Sequence, residues 1–380
     1  MNKVTSETDW DRYRVEFPIA ERYVYFNHAA VSPLSRHVSD AVQRMSDALV
    51  QEGFLCVEKA FERLEEVRCA AARLIGAESE EIAFVKNTSQ GVLMAANGIH
   101  WRPGDNIVMP SLEFPSNVYP WMQLGSKGIE LKLIEPDQGR ITADKLADAC
   151  NERTRAVTVS YVQFSNGYRI DLEGLGSFCR SRNIHLHVDA IQALGMIECD
   201  VKKLQVDFLS AGGHKWLLSP PGIGLFFCRK ELISDMHVWN PGWASVINRM
   251  DFLDYDLTYR DSAARFEEGA HNMHGIMALG ASVERFLEIG MTEVEDRIYT
   301  LTGLLERELA ERGYLVTSPR GAGEWSGILS FKHPKKGTDE IFAALSDSSI
   351  LTSVREGSVR LSPHFYNNEE DIKKFFAALP

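Results

Sequence analysis

A chain of 380 residues exceeds what one small core serves, so it forms either two domains or one large α/β domain with an appendage. With 44% apolar and 25% charged residues it has an ordinary globular composition, and a formal net charge of -12 sets most of its exterior against nucleic acid and anionic membranes. Its six cysteines are widely spaced with no C-x-x-C pair, which fits reduced thiols better than a disulfide framework or a zinc site.

The N-terminal stretch MNKVTSETDWDRYRVEFP lacks the apolar core of a signal peptide, and no later segment approaches a membrane span, so a cytoplasmic protein is expected. From about Glu21 to Phe227, short β-rich runs (EIAFVK, NIVMPS, IELKLIEP, AVTVSYVQF, IHLHVDA, DFLSAG, GIGLFFC) alternate with amphipathic stretches such as SQGVLMAANGI and DLEGLGSFCRSR. That alternation predicts a mostly parallel sheet covered on both faces. After about Asp251 two long helical runs, HGIMALGASVERFLEIG and MTEVEDRIYTLTGLLERELAERG, lead to the short strands GILSFK and ILTSVR and a last helix, NEEDIKKFFAAL. The expected organisation is a large domain over residues 18–291 and a smaller α+β domain formed by 1–17 and 292–380.

Three segments carry candidate chemistry. In KNTSQGVLMAANGI, a strand opens into a helix with Thr88 or Ser89 as N-cap, and the free N–H groups of that first turn suit a phosphate; an ordinary capped helix has the same pattern. In RNIHLHVDAIQALG, strand alternation puts His185, His187 and Asp189 on one face, a spacing open to a metal-dependent hydrolase. The further histidine ligands of such a site are missing from AIQALG, so packing histidines and an aspartate at the strand's C-terminal end are the simpler reading. In VDFLSAGGHKWLLSPPGIGLFF, Lys215 stands among glycines, apolar residues and prolines, where desolvation would lower its proton affinity and make it nucleophilic; a snorkelling lysine is the bland alternative. Together, a phosphate-binding helix start, a strand-end aspartate and a buried lysine are what pyridoxal phosphate requires: an amine to hold it covalently, a carboxylate on its ring nitrogen, and N–H donors for its phosphate.

On HVDAIQALG followed by DFLSAGGHKW, and across VYFNHAAVSP to VRLSPHFYNNEEDI, the chain resembles the class V aminotransferase family of fold-type I pyridoxal-phosphate enzymes. That group includes cysteine desulfurases, kynureninases and isopenicillin N epimerase-like proteins. The resemblance implies Lys215 as the Schiff-base lysine, Asp189 on the pyridinium nitrogen and Gln192 on the cofactor's phenolic oxygen. It further implies Thr88, Ser89 and His214 at the phosphate, Phe114 stacked on the ring, Gln163 at cofactor or substrate, and Arg360 on the substrate α-carboxylate. His28 in FNHAAVSP is a candidate near the substrate entrance. A homodimer with shared sites and an amino-acid substrate are implied as well. Three departures stand out. Gly212 replaces a serine, and Ala270 with His271 replaces a partner-contacting threonine and its neighbour in RFEEGAHN, with His271 or Trp243 as possible substitutes. SSILTSVREGSVRLSP lacks the loop cysteine on which desulfurases form a persulfide. The expected activity is therefore amino transfer, with epimerisation or β-elimination as alternatives on the same scaffold.

Overall fold

The computed structural model describes residues 8–380. Seven strands form the central sheet: β1 (Ile82–Val85), β2 (Asn106–Pro110), β3 (Glu130–Ile134), β4 (Thr154–Ser160), β5 (His185–Asp189), β6 (Phe208–Gly212) and β7 (Gly224–Cys228). Their order is β1-β7-β6-β5-β4-β2-β3. From β6 to β3 every pairing is parallel, and β7 alone runs against both of its neighbours. Strands β1, β2, β6 and β7 are buried throughout and β5 nearly so, as their unbroken apolar runs require of a sheet covered on both faces. The reversal at β7 rests on close backbone contact. Gly224 opposes Gly212, and a Cβ on Gly224 would fall 2.4 Å from the Ala211 carbonyl.

A second sheet is antiparallel throughout and comprises β8 (Leu315–Val316), β9 (Leu329–Lys332), β10 (Ser353–Arg355) and β11 (Ser358–Leu361), in the order β10-β11-β9-β8. The run ILTSVR, expected as one strand, is split. Ile350–Leu351 pairs in parallel with Val24–Tyr25, and only Ser353–Arg355 joins the second sheet.

The helix Met291–Glu311 links the two cores. Its Val294 and Ile298 belong to the large cluster around β4 to β7, whereas Leu301, Leu305 and Leu309 belong to a C-terminal cluster with Leu329, Phe331 and Phe375. The change of core falls within this helix, beyond the Met291 boundary expected from composition, and Val24 and Phe26 also join the C-terminal cluster. Upstream, Tyr13 and Phe17 belong to the large cluster together with Phe365 and Tyr366, Phe17 stacking on Tyr366 at 3.9 Å, while Arg14 grips Asp371 of the last helix with bonds of 2.7 and 2.9 Å. Of the segment expected to pack with the small domain, residues 1–7 lie outside the described residues. No helix among the described residues is long and apolar enough to cross a membrane.

Candidate active site

Strands β4, β5 and β6 deliver their C-terminal ends to one edge of the sheet, the place where open α/β sheets hold ligands. Lys215 sits in the turn after β6, and its main chain is held from several sides. Ser32 N–H donates to the His214 carbonyl at 2.9 Å and Ser32 Oγ to the Lys215 carbonyl at 2.5 Å. His364 Nε2 donates to the Trp216 carbonyl at 2.9 Å, and the Trp216 indole donates to Gln192 Oε1 at 2.8 Å. Leu218, in a left-handed conformation at φ 51°, closes the turn through its N–H to the Lys215 carbonyl. The Lys215 side chain is 7% exposed and has no carboxylate at ion-pair distance among the described residues; its Nζ lies 5.3 Å from the Phe114 ring centroid. Burial lowers its pKa to about 8, with Arg360 and Arg355 adding to the drop and Asp189 opposing it.

Asp189 ends β5. One carboxylate oxygen accepts the Ile191 N–H at 2.9 Å, while Oδ2 is buried with no partner. Burial raises its pKa to about 7, helped by Glu113 and opposed by the Ile191 N–H and Lys215. An unpaired buried acceptor is costly, so an N–H donor is missing from this position. A pyridinium nitrogen meets that need. Gln163 Oε1 is likewise buried without a partner, because its amide nitrogen is taken by Glu113 at 2.7 Å.

Glu113, which sequence reasoning passed over, anchors this layer. It accepts from Ser160 N–H at 2.9 Å, Gln163 at 2.7 Å and Asn117 at 3.1 Å, and from the Ser160 hydroxyl. Burial pushes its pKa up against these bonds, which favour the charged form. From Asn117 Oδ1 the network continues through Thr158 (2.8 Å) and His187 (2.9 Å) to Ser210 (3.0 Å). The only hint in the sequence was Glu113 immediately before the stacking candidate Phe114.

The helix after β1, Thr88–Gly98, starts differently from expectation. Asn87 is the N-cap, its side chain accepting the Gln90 N–H at 3.0 Å, which places Thr88 and Ser89 in the first turn with N–H groups that have no intrahelical partner. Thr88 Oγ1 accepts the Gly212 N–H at 2.9 Å and keeps its own proton to donate. At Gly212, a Cβ would lie 3.2 Å from the His214 ring, so the imidazole fills the space where the family's serine side chain would begin. Burial and Lys215 lower the His214 pKa and favour the neutral ring.

Arg360 reaches the site from β11. It is 1% exposed, donates to the Phe164 carbonyl at 2.5 Å and to Ser353 Oγ at 3.2 Å, and leaves Nη2 buried without a partner. Phe164 meets Phe114 edge-on at 5.2 Å. These side chains, with Thr88, Ser89 and His214, line the carboxyl edge of the sheet.

Other expected residues are engaged elsewhere. His28 is fully buried, its Nδ1–H donating to the Ser362 carbonyl at 2.7 Å and its Nε2 accepting from the Tyr366 hydroxyl at 2.8 Å. Burial holds its pKa well below the usual value, so a substrate-facing acid or base role at His28 is corrected to a structural one. Gln192 uses both ends of its amide, on Trp216 and on the Ala29 carbonyl (3.0 Å), leaving one N–H for a ligand. The metal reading fails because the side chains are engaged elsewhere. His187 spends both nitrogens on Thr158 and Ser210, and His185 turns to Asp207 at 3.7 Å. No group of three metal-ligating side chains occurs among the described residues. His271 donates to Glu267 of its own chain at 2.8 Å, beside the buried Arg68–Glu267 pair.

The aminotransferase class-V family model matches residues 24–375. A probable cysteine desulfurase of Pyrococcus abyssi is 30% identical, with 96% of each chain aligned, and an uncharacterized aminotransferase of Bacillus subtilis is 26% identical over 96% of this chain and 95% of its own. The apo cysteine desulfurase from Thermococcus onnurineus superposes with a TM-score of 0.88 at 28% identity, covering 98% of this chain and 97% of that one. This chain therefore belongs to the class-V aminotransferase family, whose fold-type I scaffold and pyridoxal 5'-phosphate cofactor it shares.

Proposed function

We propose that the protein is a pyridoxal-phosphate-dependent aminotransferase acting on an α-amino acid. The observation that carries this reading is the Lys215 amine, buried, without a carboxylate partner and with its pKa drawn down toward neutrality, opposite a buried Asp189 oxygen that lacks a donor. When bound, the cofactor supplies an electron sink for the substrate α-carbon. Lys215 would anchor it through its amine, and the same amine would serve as the base that takes and returns the substrate α-proton. Asp189 holds the proton on the ring nitrogen, and Thr88, Ser89 and His214 hold the phosphate. Phe114 covers the ring face, and Arg360 takes the α-carboxylate with its unpaired Nη2.

The hairpin between β10 and β11 supports the exclusion of persulfide chemistry in this loop. Two residues, Glu356 (φ 44°) and Gly357 (φ 70°), close it in the manner of a type I′ turn, and it carries no cysteine. β-Elimination is the second reading, favoured by the desulfurase names of several relatives. Incubating the cofactor-loaded protein with a panel of amino acids and keto acids separates the two. Keto-acid formation that depends on an amino acceptor, without ammonia, fits amino transfer; ammonia and pyruvate-type products fit the lyase.

A homodimer belongs to the same reading. Met250, Phe252, Leu253, Tyr255 and Leu257 are between 64% and 92% exposed in one short segment, an apolar surface that a second copy would cover.

A further inference from the structure

Strand alternation gives the second sheet two unlike faces. Leu329, Phe331, Val359 and Leu361 point into the C-terminal core, while Ser353, Ser358 and Arg360 share the opposite face, toward Phe164 and Ser165. Arg360 pairs directly with Ser353, and Arg355 with Ser358, so the two arginines are diagonal neighbours on that face, with Cα positions about 7 Å apart. Arg355 is the last residue before the two-residue turn, which Thr338 ties down through the Gly357 carbonyl at 2.6 Å. Its position is set by a rigid hairpin.

The site therefore gathers three cations, Lys215, Arg355 and Arg360, against two buried carboxylates, Asp189 and Glu113. Glu113 is saturated by four donors, and Asp189 is used at the ring nitrogen. Among the described residues no carboxylate pairs with either arginine; Arg355 donates to the Val354 carbonyl and Arg360 to Phe164 and Ser353. Each arginine lowers the pKa of Lys215, and Arg355 that of Arg360, as like charges facing one space do. One guanidinium is accounted for by the α-carboxylate. The other has no counter-charge among the described residues.

We infer that Arg355 is a specificity determinant that binds a second carboxylate, making a dicarboxylic α-amino acid the preferred substrate class. This rests on the proposed reading of the site and adds the side-chain chemistry it selects. A bidentate guanidinium–carboxylate pair at this partly shielded position replaces a like-charge repulsion with an attraction, whereas an apolar side chain would leave the repulsion in place.

The test uses two unreactive probes, succinate and propionate, bound to the cofactor-loaded protein and followed both by the cofactor's visible absorption and by calorimetry. Succinate is expected to bind roughly tenfold tighter than propionate. In Arg355→Ala that preference falls to within about twofold, through loss of succinate affinity alone, whereas Arg360→Ala weakens both probes. Equal affinities in the unaltered protein, or an equal loss of both probes in Arg355→Ala, would overturn the inference. The comparison within the unaltered protein needs no variant to fold. Absence of a visible band after loading would instead sink the cofactor reading at Lys215, and calorimetry would still report the succinate preference.

Discussion

Glu113 illustrates how one buried carboxylate can order an active site without touching the reacting atoms. By taking the Gln163 amide nitrogen it leaves that residue's buried carbonyl oxygen without a partner, and by holding Ser160 and Asn117 it fixes the end of β4 and the loop bearing Phe114. Glu113→Ala leaves at least three buried donors unpaired, so urea unfolding should show a loss of about 3 kcal/mol or more. Asp189 yields a prediction with a sign. Its folded pKa of about 7 lies above the ordinary value of 3.8, so the stability linked to its protonated form is complete below about 3.8 and is lost as pH rises through 7. Without cofactor, Asp189→Asn should therefore be more stable than the parent protein at pH 8, and the difference should shrink toward zero as pH falls to the ordinary carboxylate range. Thermal unfolding across pH checks this, and a constant difference would contradict it. Lys215 and Asp189 drew attention in the sequence because each stands in a short motif whose composition is odd for its place, whereas Arg360 was singled out only by the resemblance of SVRLSPHFYN to the family. Glu113 and Arg355 were not singled out, since their meaning depends on partners 47 and 50 residues away in one case and on strand register in the other.

At the scale of elements, the central strands were readable from their apolar or, for the edge strand Glu130–Ile134, alternating β-rich runs, and the two long helices from their periodicity. The misread elements have specific causes. Asn87 outcompetes Thr88 as the N-cap because its side chain reaches the Gln90 N–H, which releases the Thr88 hydroxyl for the site. ILTSVR breaks at Thr352 because its first two residues find a partner strand more than 320 positions earlier, at Val24–Tyr25, which no local pattern reveals. The β6–β7 pair depends on Gly224, where a side chain would drive into the Ala211 carbonyl. Gly224→Ala should cost about 1–3 kcal/mol and, by spreading β6 beneath Lys215, weaken cofactor retention measured by dialysis.

For the whole molecule, the helix Met291–Glu311 ties both cores together, and residues 28–32 and 362–366 clamp the Lys215 turn between them. The site thus exists only when the C-terminal core is docked. Leu305→Ala, fully buried in that core, should cost about 2–5 kcal/mol and lower cofactor occupancy in parallel with stability, which chemical unfolding and absorbance can follow together. Sedimentation should report a dimer, and Leu253→Asp in the exposed apolar segment should shift it toward monomer. The most direct test of the whole account is chemical. When the cofactor-loaded protein is reduced with borohydride, digested and mapped by mass spectrometry, the pyridoxyl-phosphate adduct should sit on Lys215 and disappear in Lys215→Ala. An adduct on another lysine, or none, would contradict the site as built here.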